Sequence, residues 1–533
     1  MPEVDAVVIG AGHNGLVAAN KLADAGWSVV VLEGNAHPGG AVRSGEIAAP
    51  GYVTDICSAF FPLGIASPHL RSLGLADYGL QWRHAPVVLA HVFPDGRAVE
   101  LRRNVQATAA SVELFAPGDG DRWLKIYEQW REFGPGLMQA LFTPFPPVTA
   151  VAQLAFQAPI AQSLRTTRQA LLSARRLGEE LFNGAGARAL IAGCTQHSDL
   201  GPGDAGGGVF GWLLCMLGQQ VGFPVVAGGA GALTDALVSR LRAHGGEVEC
   251  NAMAEHVVVR DGRARGVRTV DGREWSATRA VIADVPAPAL YQQLVAAEHL
   301  PSRLLADLDH FAWGHATLKI DWALEGEVPW QATQAREAGV VHFGADIAGL
   351  ARYSTALANR EVPAEPFIVA GQMTTADPSR SPAGTQALWA YTHLPYLGGH
   401  AESADVVAEQ VERVEQCLER HAPGFRARIR GRYVHDPLDM EQGNPSLVGG
   451  TINGGSAAVH QQLVFRPTPG LGRADTPIDQ LFLASASAHP SGGVHGGPGA
   501  NAARAALARA HKLTGWLYGA GIRTAHKTVF RDY

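Results

Sequence analysis

A chain of 533 residues with a formal net charge of −6, 17% charged residues and no long basic run disfavours binding to a phosphate backbone. Its five cysteines, Cys57, Cys194, Cys215, Cys250 and Cys417, stand singly with no C-x-x-C pair, so neither a zinc site nor a redox disulfide is expected, and a reducing, cytoplasmic setting is. The length calls for two or three intertwined domains, and the most apolar stretch, Val209–Ala232, is broken by Gln219, Gln220 and Pro224 before it could span a membrane.

The chain starts on a strand almost at once, without a secretory leader. Residues 4–9 are a short apolar run, the pattern of a strand buried on both faces. Gly10, Gly12 and Gly15 follow in G-x-G-x-x-G spacing, then a helical pattern through Leu16, Ala19 and Leu22, a second strand at 27–32, and Glu33, 18 positions after Gly15. In that context the glycines have separate tasks. Gly10 makes the tight turn, Gly12 lets backbone approach a diphosphate, and Gly15 lets the helix lie close on the strand. The helix start offers free N–H groups to phosphate, and Glu33 accepts from ribose hydroxyls. The Gly39–Gly40 doublet with Arg43 suits a loop crossing over the diphosphate, and no second such strand–glycine–helix unit exists for a nicotinamide. FAD is therefore favoured over NAD.

From about 85 to 225 the pattern turns helical, notably over 151–182, after a break at Pro144–Phe145–Pro146–Pro147. His197 reads as a satisfied buried histidine before a cavity-lining one. Residues 255–282 read as strands joined at Asp261–Gly262 and Asp271–Gly272, both hairpin signals, and 280–283 as one more buried strand. Lys319 lies on a strand over 315–322, and the Arg-rich 425–432 is a solvated helix-to-strand connection. A strand at 481–484 then enters a glycine-rich turn that opens onto an alanine-rich helix. Backbone N–H groups at such a start can face a flavin's pyrimidine edge.

These landmarks (the opening VVIGAGHNGLVAANKLADAG, then Gly222–Leu233, Asn251–Val267, Phe465–Pro467 and Leu481–Gly499) resemble the phytoene-desaturase-like branch of FAD-dependent oxidoreductases, with the opening similar to its pyridine nucleotide-disulphide oxidoreductase domain 2 subgroup. The resemblance implies an α/β fold: a glutathione-reductase-type FAD-binding Rossmann domain from 1–80, 222–292 and 470–533, with an inserted α+β substrate domain from 81–221 and 293–469. It assigns Gly10, Gly12, Asn14, Gly15, Glu33, Gly40 and Arg43, with Gly39 in the same loop, to the ADP half of FAD. Val257 would hold adenine through its backbone, and Gly493, Val494 and Gly497 would meet the flavin. His489 would support the turn. His495 stands where the family usually has a small hydroxyl residue, and is a candidate acid or base. Lys319 matches a lysine that holds a water near the flavin in related amine oxidases. The implied activity is oxidation of C–C or C–N bonds of a hydrophobic, isoprenoid- or lipid-like small molecule, with peripheral membrane contact as its corollary. A redox-neutral isomerase, an amine-oxidase-like enzyme and a non-catalytic FAD-bearing partner of a complex stand as alternatives.

Overall fold

The computed structural model describes residues 3–147, 160–398 and 402–531; the part of 151–182 before Ile160 lies outside them. Two seven-stranded sheets organise the chain. In the first, the apolar strand Glu3–Ile9 runs parallel between Val29–Leu32 and Glu274–Ala283. Glu247–Glu249 extends the parallel part beyond Val29–Leu32, and Leu481–Leu483 joins the far side of Glu274–Ala283. Because helices cover both faces, the carboxyl halves of the central strands, residues 6–9 and 280–283, and all of Val29–Leu32 are apolar and buried, as a two-sided buried sheet requires. The antiparallel strands Ala254–Arg260 and Arg263–Thr269 complete the sheet. Asp261 and Gly262 both take positive φ in their two-residue turn, 53° and 69°, which the right-handed twist of a hairpin demands.

Helices His13–Asp24 and Gly497–Ala510, far apart in sequence, lie against one another on this sheet. Gly499 makes that possible, since a methyl group there would overlap the Asn14 carbonyl.

The second sheet runs in the order Ile429–His435, Ala316–Leu324, Gln386–Leu394, Ile368–Gln372, Ala338–Phe343, Val87–Val92, Ala98–Leu101. One face is a continuous apolar layer, with Leu318, Ile320, Trp322 and Leu388 packed against helix Ala404–His421. The other face meets helices Ala185–Thr195 and Gly207–Val221 and carries polar groups. Strand register aligns His435, Lys319, Tyr391, Val369, His342 and His91 in one row across it. Direct cross-strand partners project on the same side, so the row is a single ribbon of side chains.

A buried ion cluster ties the sheets together. Arg380 pairs with Asp55 at 3.0 Å and Asp377 at 3.4 Å. Asp55 and Asp377 in turn accept the Ala230 and Gly228 N–H groups at 2.7 Å each, fixing the glycine turn before helix Gly231–Ala243. The Arg-rich connection is a short helical turn and strand whose arginines pair with Glu412, Glu415 and Glu325. No helix among the described residues is long and apolar enough to cross a membrane.

Candidate active site

The carboxyl ends of the parallel strands open on one cavity of about 560 Å³, where a doubly wound sheet binds its ligand. Gly10, Gly12, Asn14, Glu33 and Gly40 line one end. Gly10 turns with φ 92°, and a side chain there would strike the Asp284 carbonyl. Gly39 and Gly12 form a bridge, its N–H donating to the Ala11 carbonyl at 2.9 Å, and a methyl group on Gly40 would come within 3.3 Å of the Gly12 Cα. Both loops can therefore press on the same ligand with bare backbone. The opening helix has no side-chain cap and no acidic residue in its first turn, and the buried Asn14 Oδ1 has no partner. Glu33 accepts the Ala11 and Asn35 N–H groups at 2.9 Å each, which fixes its carboxylate at the strand end. This chemistry fits the ADP half of FAD.

Several predicted residues act from behind the wall. Gly15 is buried against Gly10, and Arg43 spans the Gly40 and Gly443 carbonyls at 3.0 and 2.7 Å, clamping the loop. Val257 does not reach the cavity: it is buried in the core opposite Val267, and Met253 and Ala254 form the wall beside Gly34 instead.

The glycine turn after Leu481–Leu483 supplies Gly493, Val494 and His495 to the cavity. His495 has no nitrogen left for acid–base work. Its Nε2 donates to the Gly492 carbonyl at 3.3 Å and its Nδ1 accepts the Gly497 N–H at 3.0 Å, so it caps the following helix. Burial, reinforced by His13, His69 and His489, depresses it to about 3. These three are likewise held neutral by burial, at about 4, each donating to a main-chain carbonyl. Phe142 lies edge-on to His69 and His495, at 5.6 and 5.3 Å, joining the end of helix Asp119–Phe142 to the turn. Behind the turn, fully buried Arg466 donates to the carbonyls of Ser456, Asn453, Gly454 and Ala486.

Lys319 sits on the cavity wall, buried, and ion-pairs with Asp321, which also accepts from Thr54. Tyr391 is its direct cross-strand neighbour. His197 is both satisfied and cavity-lining. Cys57 lines the cavity as well, its thiol pushed up to about 11 by burial.

Asp284, which the motifs passed over, is the principal newcomer. It follows the buried strand Glu274–Ala283, lines the cavity, and accepts the Gly15 N–H at 2.8 Å. Burial raises it to about 7, with Glu33 adding to the shift and the Gly15 N–H opposing it. Its position at a strand's carboxyl end, beside the phosphate loop, was the available signal.

Comparison with known proteins agrees with this geometry. The family of flavin containing amine oxidoreductases matches residues 15–419. The chain is 28% identical to rat (Rattus norvegicus) pyridine nucleotide-disulfide oxidoreductase domain-containing protein 2, over 94% of this chain and 93% of that one. It is 25% identical to the lycopene-forming phytoene desaturase of Pseudescherichia vulneris, over 92% and 96%. A crystal structure of an oxidoreductase from Methanosarcina mazei shares the fold, with a TM-score of 0.62 at 15% identity over 94% of this chain and 99% of that one. The chain belongs to the flavin containing amine oxidoreductase family and is an FAD-dependent oxidoreductase.

Proposed function

We propose that the protein dehydrogenates an apolar small molecule, drawing hydrogen from neighbouring carbons. The observation that carries this reading is continuity. A single cavity runs from Glu33 and Asn35 past Gly493 and Val494 into a chamber walled by Phe60, Leu213, Phe223, Val340, Val369 and Trp389. FAD, when bound, supplies the hydride acceptor. Gly10, Gly12, Asn14, Glu33 and Gly40 hold its ADP half, Gly39, Arg43 and Gly15 support that loop, and Met253 and Ala254 flank the adenine. Gly493 and Val494 touch the flavin, while Gly497 and His495 position them.

The chamber's apolar wall excludes water and shelters the reacting carbons. Among the described residues, the only carboxylates on the cavity are Glu33 and Asp284, both at the nucleotide end. An ammonium substrate would enter beside Lys319 with no counter-charge, which is costly in a buried chamber. This favours a C–C bond over a charged amine, and the phytoene desaturase relative supports an isoprenoid-like skeleton. Exposed Leu164, Leu171, Leu463 and Phe465 are apolar groups available for peripheral membrane contact with such a substrate's source.

Lys319, fixed by Asp321, presents a cation that orders a water by the reacting centre. Anaerobic mixing of the FAD-loaded protein with terpenoid compounds should bleach the flavin absorbance, whereas bleaching by amines alone would overturn the reading. Lys319→Met should retain FAD but slow flavin reoxidation by about tenfold or more, the scale of one positioned polar group. Unchanged turnover and reoxidation would remove Lys319 from the mechanism.

A further inference from the structure

The chamber has one polar corner, and its hydrogen-bond order can be worked out. Tyr391 is the one residue of strand Gln386–Leu394 that is only partly buried, its open side facing the cavity that it lines together with His197. Among the described residues, its hydroxyl meets a single partner, His197 Nδ1, at 3.3 Å. His197 Nε2 faces His342 Nε2 at 2.9 Å, so these two nitrogens share one proton. His342 Nδ1 is buried without a partner.

Burial holds both rings neutral, His197 at about 4 and His342 well below its ordinary value, so each carries one proton. Two arrangements exist. A proton on His342 Nδ1 would be a buried N–H with nothing to accept it, the costlier kind of orphan. With the proton on Nε2 instead, His342 donates to His197, which then carries its own proton on Nδ1 and donates to the Tyr391 oxygen. The tyrosine's proton is left over, and only the cavity can receive it. Burial also raises Tyr391 well above its usual range, so the hydroxyl stays a donor. On the same face of the neighbouring strand, the buried Thr317 hydroxyl lines the cavity with no partner.

We propose that Tyr391 donates a hydrogen bond to a carbonyl oxygen of the substrate, which is therefore an apolar skeleton carrying a carbonyl beside the bond that is oxidised. This rests on the dehydrogenase reading of the same cavity. The chemistry is consistent with a chamber that has no carboxylate base. A carbonyl acidifies the adjacent C–H, and a donor at its oxygen stabilises the charge that develops there. With FAD bound as hydride acceptor, the substrate would lose a hydride from the next carbon and a proton from the acidified carbon, the proton leaving through cavity water to bulk solvent and not remaining as a second cation beside Lys319. A C=C bond forms, and the two electrons reside on the reduced cofactor.

The test uses pairs of probes that differ chiefly in a carbonyl: limonene with carvone, and p-menthane with menthone. Each is titrated into the FAD-loaded protein and followed by the visible flavin difference spectrum. The wild type should bind the ketone of at least one pair about tenfold more tightly, the worth of one buried hydrogen bond. Tyr391→Phe, with its flavin spectrum unchanged, should lose that preference while hydrocarbon affinity stays within about twofold. Equal affinities in the wild type, binding of neither pair, or a preference that survives in Tyr391→Phe each overturn the proposal. A protein that takes up no FAD at all overturns the dehydrogenase reading instead.

Discussion

Asp284 places a titratable acid against the glycine turn proposed to hold the diphosphate of FAD. Its carboxyl accepts the Gly15 N–H, and a side chain on Gly12 would come within 2.6 Å of it. Protonated, it leaves the helix start free of negative charge; ionised, it repels the cofactor. With the folded value raised to about 7, the favourable form is lost as pH rises through neutrality. A bound diphosphate raises it further, so binding takes up a proton. The dissociation constant of FAD should accordingly climb above pH 7, by at most about tenfold per pH unit. Equilibrium dialysis from pH 6 to 8.5 measures this, and Asp284→Asn should flatten the profile. A flat wild-type profile would show that Asp284 does not face the diphosphate.

At the scale of elements, the contact between helices His13–Asp24 and Gly497–Ala510 brings the two halves of the cofactor wall together. Gly499→Ala should force them apart, destabilising the protein by about 1–3 kcal/mol, the usual effect of overpacking. Thermal denaturation should show the loss, and FAD should wash out on gel filtration. A variant that keeps both its melting temperature and its flavin would show that the helices tolerate separation. Much of this architecture was legible in the sequence. Gly10, Gly12 and Gly15 between two apolar runs specify the first unit because only glycine permits those approaches. The polar ribbon of the second sheet was harder. Thr317, Lys319 and Asp321 alternate visibly, as do Tyr391 and His393, but alternation cannot say which face meets a cavity or which strands are neighbours. Register, set by long-range pairing, aligns Lys319 with Tyr391. Val257, which the resemblance assigns to the adenine, is buried opposite Val267, while Met253 and Ala254 line the cavity.

For the whole molecule, buried histidines set the acid limit. His69, His489 and His495 are held at about 4 or 3 by burial, against about 6.5 in an unfolded chain. Between those values the unfolded chain binds protons that the folded one does not. Stability present above pH 6.5 is therefore lost as pH falls toward 4, each group contributing up to about 1.4 kcal/mol per pH unit. The midpoint of urea unfolding should drop between pH 7 and pH 5 with little change in slope; a constant midpoint would mean that these rings reach water. His495 shows what sequence alone leaves open. A histidine beside a glycine turn suggests proton transfer, but the fold commits both its nitrogens to main-chain partners.

The first sheet brings together strands separated by almost the whole chain, Glu3–Ile9 and Leu481–Leu483 flanking Glu274–Ala283. During synthesis, the opening strand and phosphate loop leave the ribosome long before Gly493, Val494 and the helix that packs on Asn14 exist. The nascent chain must keep its opening apolar strand sheltered through that interval, and a ribosome stalled ahead of residue 481 presents a half-built cradle open on its flavin side. A chain ending before residue 481 lacks the strand, the glycine turn and the helix that complete this wall, and should fail to retain FAD.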